Sequence, residues 1–240
     1  MSGILGNDWL DWLLNIAVVL AVGSFVWRFI RSRLRIVKQF DINQGNQSKL
    51  IHSVTVEKEQ MNDITISHNA NSYDSIGNAI NEYTELLFDN MAKEHRGEER
   101  SHEFWLELTR GQKVFWTYLV FEGEVDNGGL FQFMHNSPEH LYAARQMMVE
   151  LKQERLLTDY NIFLKEVEEK RTQLRWNTWR SNNPFYSQQK RLQAFSEGYK
   201  ILKTPEIIEA YFYEDDFKGQ WRKAMCDYIK RNADQYAVLA

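Results

Sequence analysis

Apolar and polar positions alternate in three different rhythms along this chain. Residues 9–30, WLDWLLNIAVVLAVGSFVWRFI, are almost continuously apolar, and no formal charge falls between Trp12 and Trp27. At ~1.5 Å per residue that uncharged stretch reaches about 24 Å. Adding Leu10, Asp11 and the residues to Ile30 brings it to roughly 31 Å, close to a hydrocarbon core. Trp9, Trp12 and Trp27 sit where interfacial aromatic belts sit. The basic residues Arg28, Arg31, Arg33, Arg35 and Lys38 follow the run instead of preceding it. That order argues against a cleavable signal peptide and puts the basic side in the cytoplasm. The pattern predicts a short external N-terminus (1–8), a single transmembrane anchor (9–30) and a cytoplasmic remainder.

From Gln39 to Tyr73 the chain turns polar, rich in Asn, Gln, Ser and His. Within it, SVTVEKE and NDITIS alternate with period two around β-branched residues. Residues 31–73 thus read as a basic juxtamembrane segment followed by a polar linker or a small β-hairpin. After about Asp74 the period becomes helical. Ile76, Ile80, Tyr83 and Leu87 form one stripe, and Val114, Phe115, Tyr118 and Leu119 another. Further stripes are Leu141, Met148 and Leu151; Tyr160, Phe163, Leu164 and Val167; Leu192, Phe195, Tyr199 and Leu202; and Phe217, Trp221, Met225, Tyr228 and Ile229. Such spacing predicts an all-α domain of six or seven amphipathic helices over 74–240, with these side chains as its core.

Composition supports that picture. The chain is 43% hydrophobic and 26% charged, which excludes a disordered or fibrous protein, and only 3 Pro and 12 Gly interrupt the periodic stretches. Cys226 is the single cysteine, so there is no intramolecular disulfide and no Cys-based zinc site. It lies between apolar helical positions and reads as a packed thiol. Charge is polarised: Glu82 to Glu107 holds eight carboxylates against Lys93, Arg96 and Arg100, whereas Arg171 to Lys203 holds seven basic residues against Glu197 alone.

One segment does not read as packing. Residues 121–138, FEGEVDNGGLFQFMHNSP, carry Glu122, Glu124 and Asp126 into Asn127-Gly128-Gly129, then Gln132, Phe133, His135 and Asn136. Asn-Gly-Gly is a turn signal, because glycine takes positive φ freely and Asn tolerates it. The helix of Val114 to Phe121 is therefore expected to end here. A new one is expected near Pro138, with Ser137 as N-cap, Pro138 at the first helical position and Glu139 in the first turn.

The run EVDNGGLFQFMHNSP resembles the signature of the bacterial DNA-mimic-protein family, commonly E-V-N-N-G-G-F-x-Q-F-F-x-N-S. Glu124, Val125, Asn127, Gly128, Gly129, Gln132, Phe133, Asn136 and Ser137 match; Asp126, Leu130 and Met134 depart from it. YFYEDDF and DYIKRNADQY resemble the family's closing segment, so the likeness spans roughly 104–238. The resemblance implies an all-helical, non-enzymatic bacterial domain; the anchor at 9–30, which lies outside the likeness, is what places it at the bacterial inner membrane. The family's name comes from a member whose carboxylates imitate DNA phosphates. From Asp74 to Ala240 there are 27 acidic and 22 basic residues, a smaller excess than a duplex mimic should concentrate, so DNA mimicry stands open beside an immunity or regulatory role.

These features support a membrane-anchored interaction module that binds and inhibits or sequesters a protein partner. It needs no cofactor, and its contact surface is the loop of Glu122, Glu124, Asp126, Asn127, Gly128, Gly129, Gln132, Phe133, His135 and Asn136. In the plainer version, Asn127 and Asn136 bond loop backbone while Phe131 and Phe133 plug the core. The alternative is a metal-dependent hydrolase using Glu122, Glu124, Asp126 and His135, although no H-E-x-x-H, EF-hand, phosphate loop or G-x-S-x-G motif is present. A third reading takes Arg171, Arg175, Arg180, Lys190 and Arg191, interleaved with Trp176, Trp179, Phe185 and Tyr186, as an anion-binding face. Single-stranded nucleic acid or anionic lipid would suit it. Against that stands a solvated helix end with its aromatics turned inward.

Overall fold

The structure, a computed structural model, describes residues 38–45, 54–67, 73–87 and 102–240. The anchor expected at 9–30 lies outside them. Among the described residues no helix is long and apolar enough to cross a membrane. A strand β1 (Val54–Val56) precedes α1 (Lys58–Ser67), α2 (Tyr73–Leu87), α3 (His102–Glu107) and α4 (Arg110–Asn136). A 3-10 turn (Pro138–His140) leads to α5 (Leu141–Glu150), α6 (Glu154–Glu169), α7 (Arg171–Ser181), α8 (Gln188–Tyr199), α9 (Thr204–Phe212), α10 (Asp215–Arg231) and β2 (Ala237–Leu239). Among the described residues the domain is all-α apart from the two short strands.

The axis of the domain is α4. Its start is fixed by a capping box: the Thr109 hydroxyl accepts from Gln112 N–H while the Gln112 side chain accepts from Thr109 N–H. Tyr118 stacks on Trp221 of α10, with ring centroids 5.1 Å apart, and Phe121 meets Phe133, Tyr160 and Phe212 edge-on. The predicted stripes of α2, α6 and α10 are buried where periodicity put them: Ile76, Ile80, Tyr83 and Leu87; Tyr160 and Phe163; Trp221, Met225, Tyr228 and Ile229. Cys226 is buried, and its thiol is pushed up to about 12 by that burial and by Asp227. Glu166 of α6 closes the start of α9 by accepting from Lys203 N–H, Thr204 N–H and the Thr204 hydroxyl at 2.7–3.0 Å. Burial works against the Glu166 carboxylate, yet these three donors hold it below the usual range.

Three expectations are corrected. The β-hairpin does not form: β1 pairs in parallel with β2 at the chain's far end, Val54 opposite Ala237. The stretch NDITIS belongs to α1, where Met61 and Ile64 face inward and the Tyr83 hydroxyl donates to Met61 C=O. Packing against α2 overrides its β-branched propensity. Secondly, Leu192 is not core; it is 61% exposed on α8. Thirdly, the compact unit starts at Lys38, well before Asp74. Phe40 stacks flat on Trp105 at 4.5 Å and meets His140 edge-on, and Ile42 N–H donates to the Gln146 side chain. This strap is also pinned by Lys113, fully buried in α4, whose ammonium donates to Gln44 C=O at 2.7 Å.

Candidate functional site: the kinked motif helix

The Asn-Gly-Gly turn interrupts α4, as its turn propensity predicts: two helical segments meet at a kink, with non-helical backbone at Gly128 and Gly129. The second segment resumes at once beyond the glycines and runs to Asn136, where a new helix was expected only near Pro138. Gly129 has φ +77, the left-handed region that glycine enters at no steric cost, and a Cβ there would collide with the Glu209 carboxylate. Ser137 stands at the N-cap position of the 3-10 turn, with Pro138 at its start and Glu139 in its first turn, but its hydroxyl makes no capping bond; its N–H closes α4 by donating to Phe133 C=O.

A kink frees backbone groups, and buried ones need new partners. Here three side chains from α8, α9 and the residue after α9 supply them. The Tyr213 hydroxyl donates to Val125 C=O at 2.7 Å, and the Tyr199 hydroxyl donates to Gly128 C=O. Leu130 N–H donates to Glu209 Oε1 at 2.7 Å, which places a carboxyl at the start of the second helical half. Burial, together with Glu206, raises the Glu209 pKa against the pull of that bond. Nothing in the local sequence around residue 127 announces Glu209, Tyr199 or Tyr213.

The motif's carboxylates divide into two sets. Glu122 and Asp126, one turn apart on the face toward α10, meet Lys218 and Arg222. Arg222 Nε donates to Glu122 at 2.8 Å, and Lys218 lies 3.6 Å from Glu122 and pairs with Asp126. The Lys218 side chain is 3% exposed and also sits 4.6 Å from the Phe212 ring centre. Both Lys218 and Arg222 were missed in the sequence. Lys218 stands on the stripe of Trp221 and Met225, and Glu122 stands one turn from Tyr118. Opposite charges on two facing apolar stripes are a signal that could have paired them. Glu124 points elsewhere, accepting from Gln132 at 3.0 Å and Asn136 at 2.9 Å.

His135 leaves the acidic set altogether. Its Nε2 lies 2.9 Å from the Ser181 hydroxyl and its ring meets Phe195 edge-on at 4.9 Å, tying α4 to α7 and α8. Glu122, Glu124, Asp126 and His135 therefore point three ways, and the hydrolase arrangement does not assemble. Among the described residues no cluster of three His, Cys, Asp or Glu could hold a metal ion. Phe131 and Phe133 are fully buried, as the plug reading expects. Asn136 departs from it by bonding a carboxylate in place of backbone, and Asn127 is exposed.

On the open side of α4, a shallow groove has Trp116, Leu119 and Val120 as its apolar part and Glu124, Asn127 and Glu139 along it. Gly123 lies in this groove and in the adjoining one that contains Glu122, Asp126 and Asn78, and a Cβ on Gly123 would meet nothing within 4 Å.

The basic residues form a separate face. Arg180 is bonded to Glu197 at 2.7 Å and Arg171 to Glu168 at 3.1 Å, both bracing helices of the domain. Arg175, Lys190 and Arg191 are exposed. The aromatics between them do not all turn inward: Trp176 is 59% and Phe185 88% exposed.

The fold and the motif thus define an all-helical domain organised on one kinked helix, whose conspicuous residues brace the kink on one side and border a groove on the other. The family model described as DMP19-like protein matches residues 106–232, and the chain belongs to that family. No curated protein and no solved structure matches it.

Proposed function

We propose that this chain is a non-catalytic, membrane-anchored interaction module that takes a basic segment of a protein partner into the groove beside the kink. The observation that carries the reading is the division of the motif's acids. Glu122 and Asp126 are consumed by buried cations, while Glu124 and Glu139 border an open groove with an apolar part. An apolar strip with an acidic border suits an amphipathic, basic helix or extended peptide. Membership of the DMP19-like family supports a binding role in place of a chemical one. Residues 9–30 serve as the anchor and hold the domain at the cytoplasmic face of a bacterial inner membrane, which raises its concentration near a membrane-bound partner. Inhibition or sequestration is the expected consequence of covering that partner's basic segment.

Gly123 supplies a clean probe, because a Cβ there meets nothing within 4 Å and opens onto the groove. Detergent-solubilised full-length protein should recover a specific partner from native membranes; Gly123→Arg should lose it without loss of thermal stability, and Glu124→Lys should lose it while giving up only its bonds to Gln132 and Asn136. Equal recovery by all three forms would remove the groove as the contact surface. Resistance of the chain to alkaline carbonate extraction, lost on deleting 9–30, checks the anchor separately.

A further inference from the structure

The hairpin of α7 and α8 carries a surface that the groove does not use. Its connection is ordered by its own bonds: Asn183 Oδ1 accepts from Phe185 N–H at 2.9 Å, Asn183 C=O accepts from Tyr186 N–H at 3.1 Å, and the Ser187 hydroxyl caps α8 by accepting from Lys190 N–H at 3.3 Å. Asn183 itself is buried. The turn therefore holds Phe185 out in solvent, 88% exposed, on a backbone with little freedom to tuck it away. Trp176 stacks on Trp179 at 4.8 Å with planes 19° apart, Tyr186 meets Trp179 edge-on at 6.0 Å, and Lys190 lies 6.0 Å from the Tyr186 ring. Leu192 adds an exposed aliphatic side chain on α8.

Charge on this hairpin is almost all of one sign, its one acid being Glu197, bonded to Arg180. Between Lys170 and Ser196 there is no Asp or Glu, while Lys170, Arg171, Arg175, Arg180, Lys190 and Arg191 all fall within it. Exposed Trp, Phe and Leu on a hairpin that also exposes Arg175, Lys190 and Arg191 match the chemistry of an interfacial region, where rings enter the headgroup layer and cations meet anionic phosphates. A single-stranded nucleic acid would use open ring faces for base stacking. Here the two tryptophans cover one another's inner faces, and the outermost apolar groups, Phe185 and Leu192, include an aliphatic chain with nothing to offer a base.

We propose that the α7–α8 hairpin docks on an anionic lipid surface, with Phe185 and the Trp176–Trp179 stack in the headgroup layer and Lys190 and Arg191 on lipid phosphates. This is independent of the groove and its partner. Docking of this kind would fix the orientation of the tethered domain on the bilayer.

The test uses the full chain carrying Cys226→Ala and a nitroxide at Gln188→Cys, an exposed position beside the tip. The protein is bound to or incorporated in vesicles of phosphatidylcholine alone or with phosphatidylglycerol, and the accessibility of the label to oxygen and to a polar relaxation agent is compared. The expected result is a label shielded from the polar agent only when phosphatidylglycerol is present, with the shielding lost in Phe185→Ser and in Lys190→Glu/Arg191→Glu. A label equally exposed to water in both vesicles overturns the proposal, whether or not the chain is membrane-bound. So does binding of a single-stranded oligonucleotide that charge reversal abolishes while lipid shielding is unaffected.

Discussion

The motif turn at Asn127-Gly128-Gly129 and the hairpin turn at Asn183-Pro184-Phe185 are both built on asparagine and a conformational constraint, yet they spend their side chains in opposite ways. At the first, the kink's backbone and two of its acids are satisfied within the fold: Val125 and Gly128 carbonyls by tyrosines, Leu130 N–H by Glu209, Glu122 and Asp126 by Lys218 and Arg222. At the second, the backbone is satisfied locally and the large side chains are left facing water. A conspicuous sequence motif is thus mostly scaffold, and a bland basic stretch is mostly surface. The two regions should therefore answer mutation very differently.

The sharpest way to break that contrast is Lys218→Met. Removing a buried cation takes away the partner of Asp126 and leaves Glu122 to Arg222; the retained Arg222 bond and the exposure of Asp126 reduce the cost of breaking a buried pair to about 2–3 kcal/mol. Chemical denaturation of the full chain should show a loss of that size, partly recovered when Glu122→Gln is added, since the two sites share one network. An unchanged midpoint would mean that these carboxylates are free, and the motif would again be a candidate for ligand chemistry.

Lys113 tests the inner region by pH. Burial pushes its ammonium down from 10.5 to about 8, and Asp41 only partly opposes this. Between those values the unfolded chain binds more protons than the folded one, so this residue's contribution to stability rises with pH from about 8 to 10.5. Below about pH 8 the penalty is fully present, roughly 3 kcal/mol at ~1.4 kcal/mol per unit. Lys113→Met gives up the bond to Gln44 at every pH but escapes the penalty. Its stability relative to wild type should therefore be highest below pH 8 and decline toward pH 10. Buried Tyr118, Tyr160 and Tyr236, all held well above the usual phenol range by burial, titrate alike in both proteins and cancel in the difference. A difference independent of pH would show that Lys113 is not desolvated.

Much of this inner region was readable in the sequence, and the reasons are local. Helical periodicity placed Ile80, Tyr83, Tyr160, Phe163 and Trp221 because repeated burial on one face is a property of the segment itself. The turn propensity of Gly128-Gly129 was readable too. That a second helical segment would resume directly beyond the turn was not, because the groups that stabilise the kink come from Tyr199, Glu209 and Tyr213, some 70 to 90 positions away in sequence. The parallel pairing of Val54–Val56 with Ala237–Leu239 escaped for the same reason. Leu192 failed in the other direction: its spacing is that of a core residue, yet it stands 61% exposed on α8.

Two glycines in the motif helix sharpen the comparison at smaller scale. Gly129→Ala forces a left-handed backbone on a side chain and drives a Cβ against Glu209, for an expected cost of about 2 kcal/mol. Gly123→Ala, six residues earlier in regular helix with open space around it, should gain up to about 1 kcal/mol from helix propensity alone. Thermal melts of the two variants should move in opposite directions. A common direction would mean that the kink does not divide the helix as described.

The smallest effects belong to the hairpin. Phe185 makes no burial contribution at 88% exposure, so Phe185→Ser should alter folding stability by no more than about 0.5 kcal/mol, the usual range for surface changes. Trp176→Ser should cost somewhat more, because it removes the stack on Trp179, yet remain below about 1.5 kcal/mol. Measured by denaturation in the absence of lipid, such near-neutrality in two large apolar residues would mean that the fold has no use for them. A loss beyond about 2 kcal/mol at Phe185 would instead place the tip against another part of the chain, in the range of a buried apolar side chain. The hairpin would then be core, and the division between an inward motif and an outward basic face would collapse.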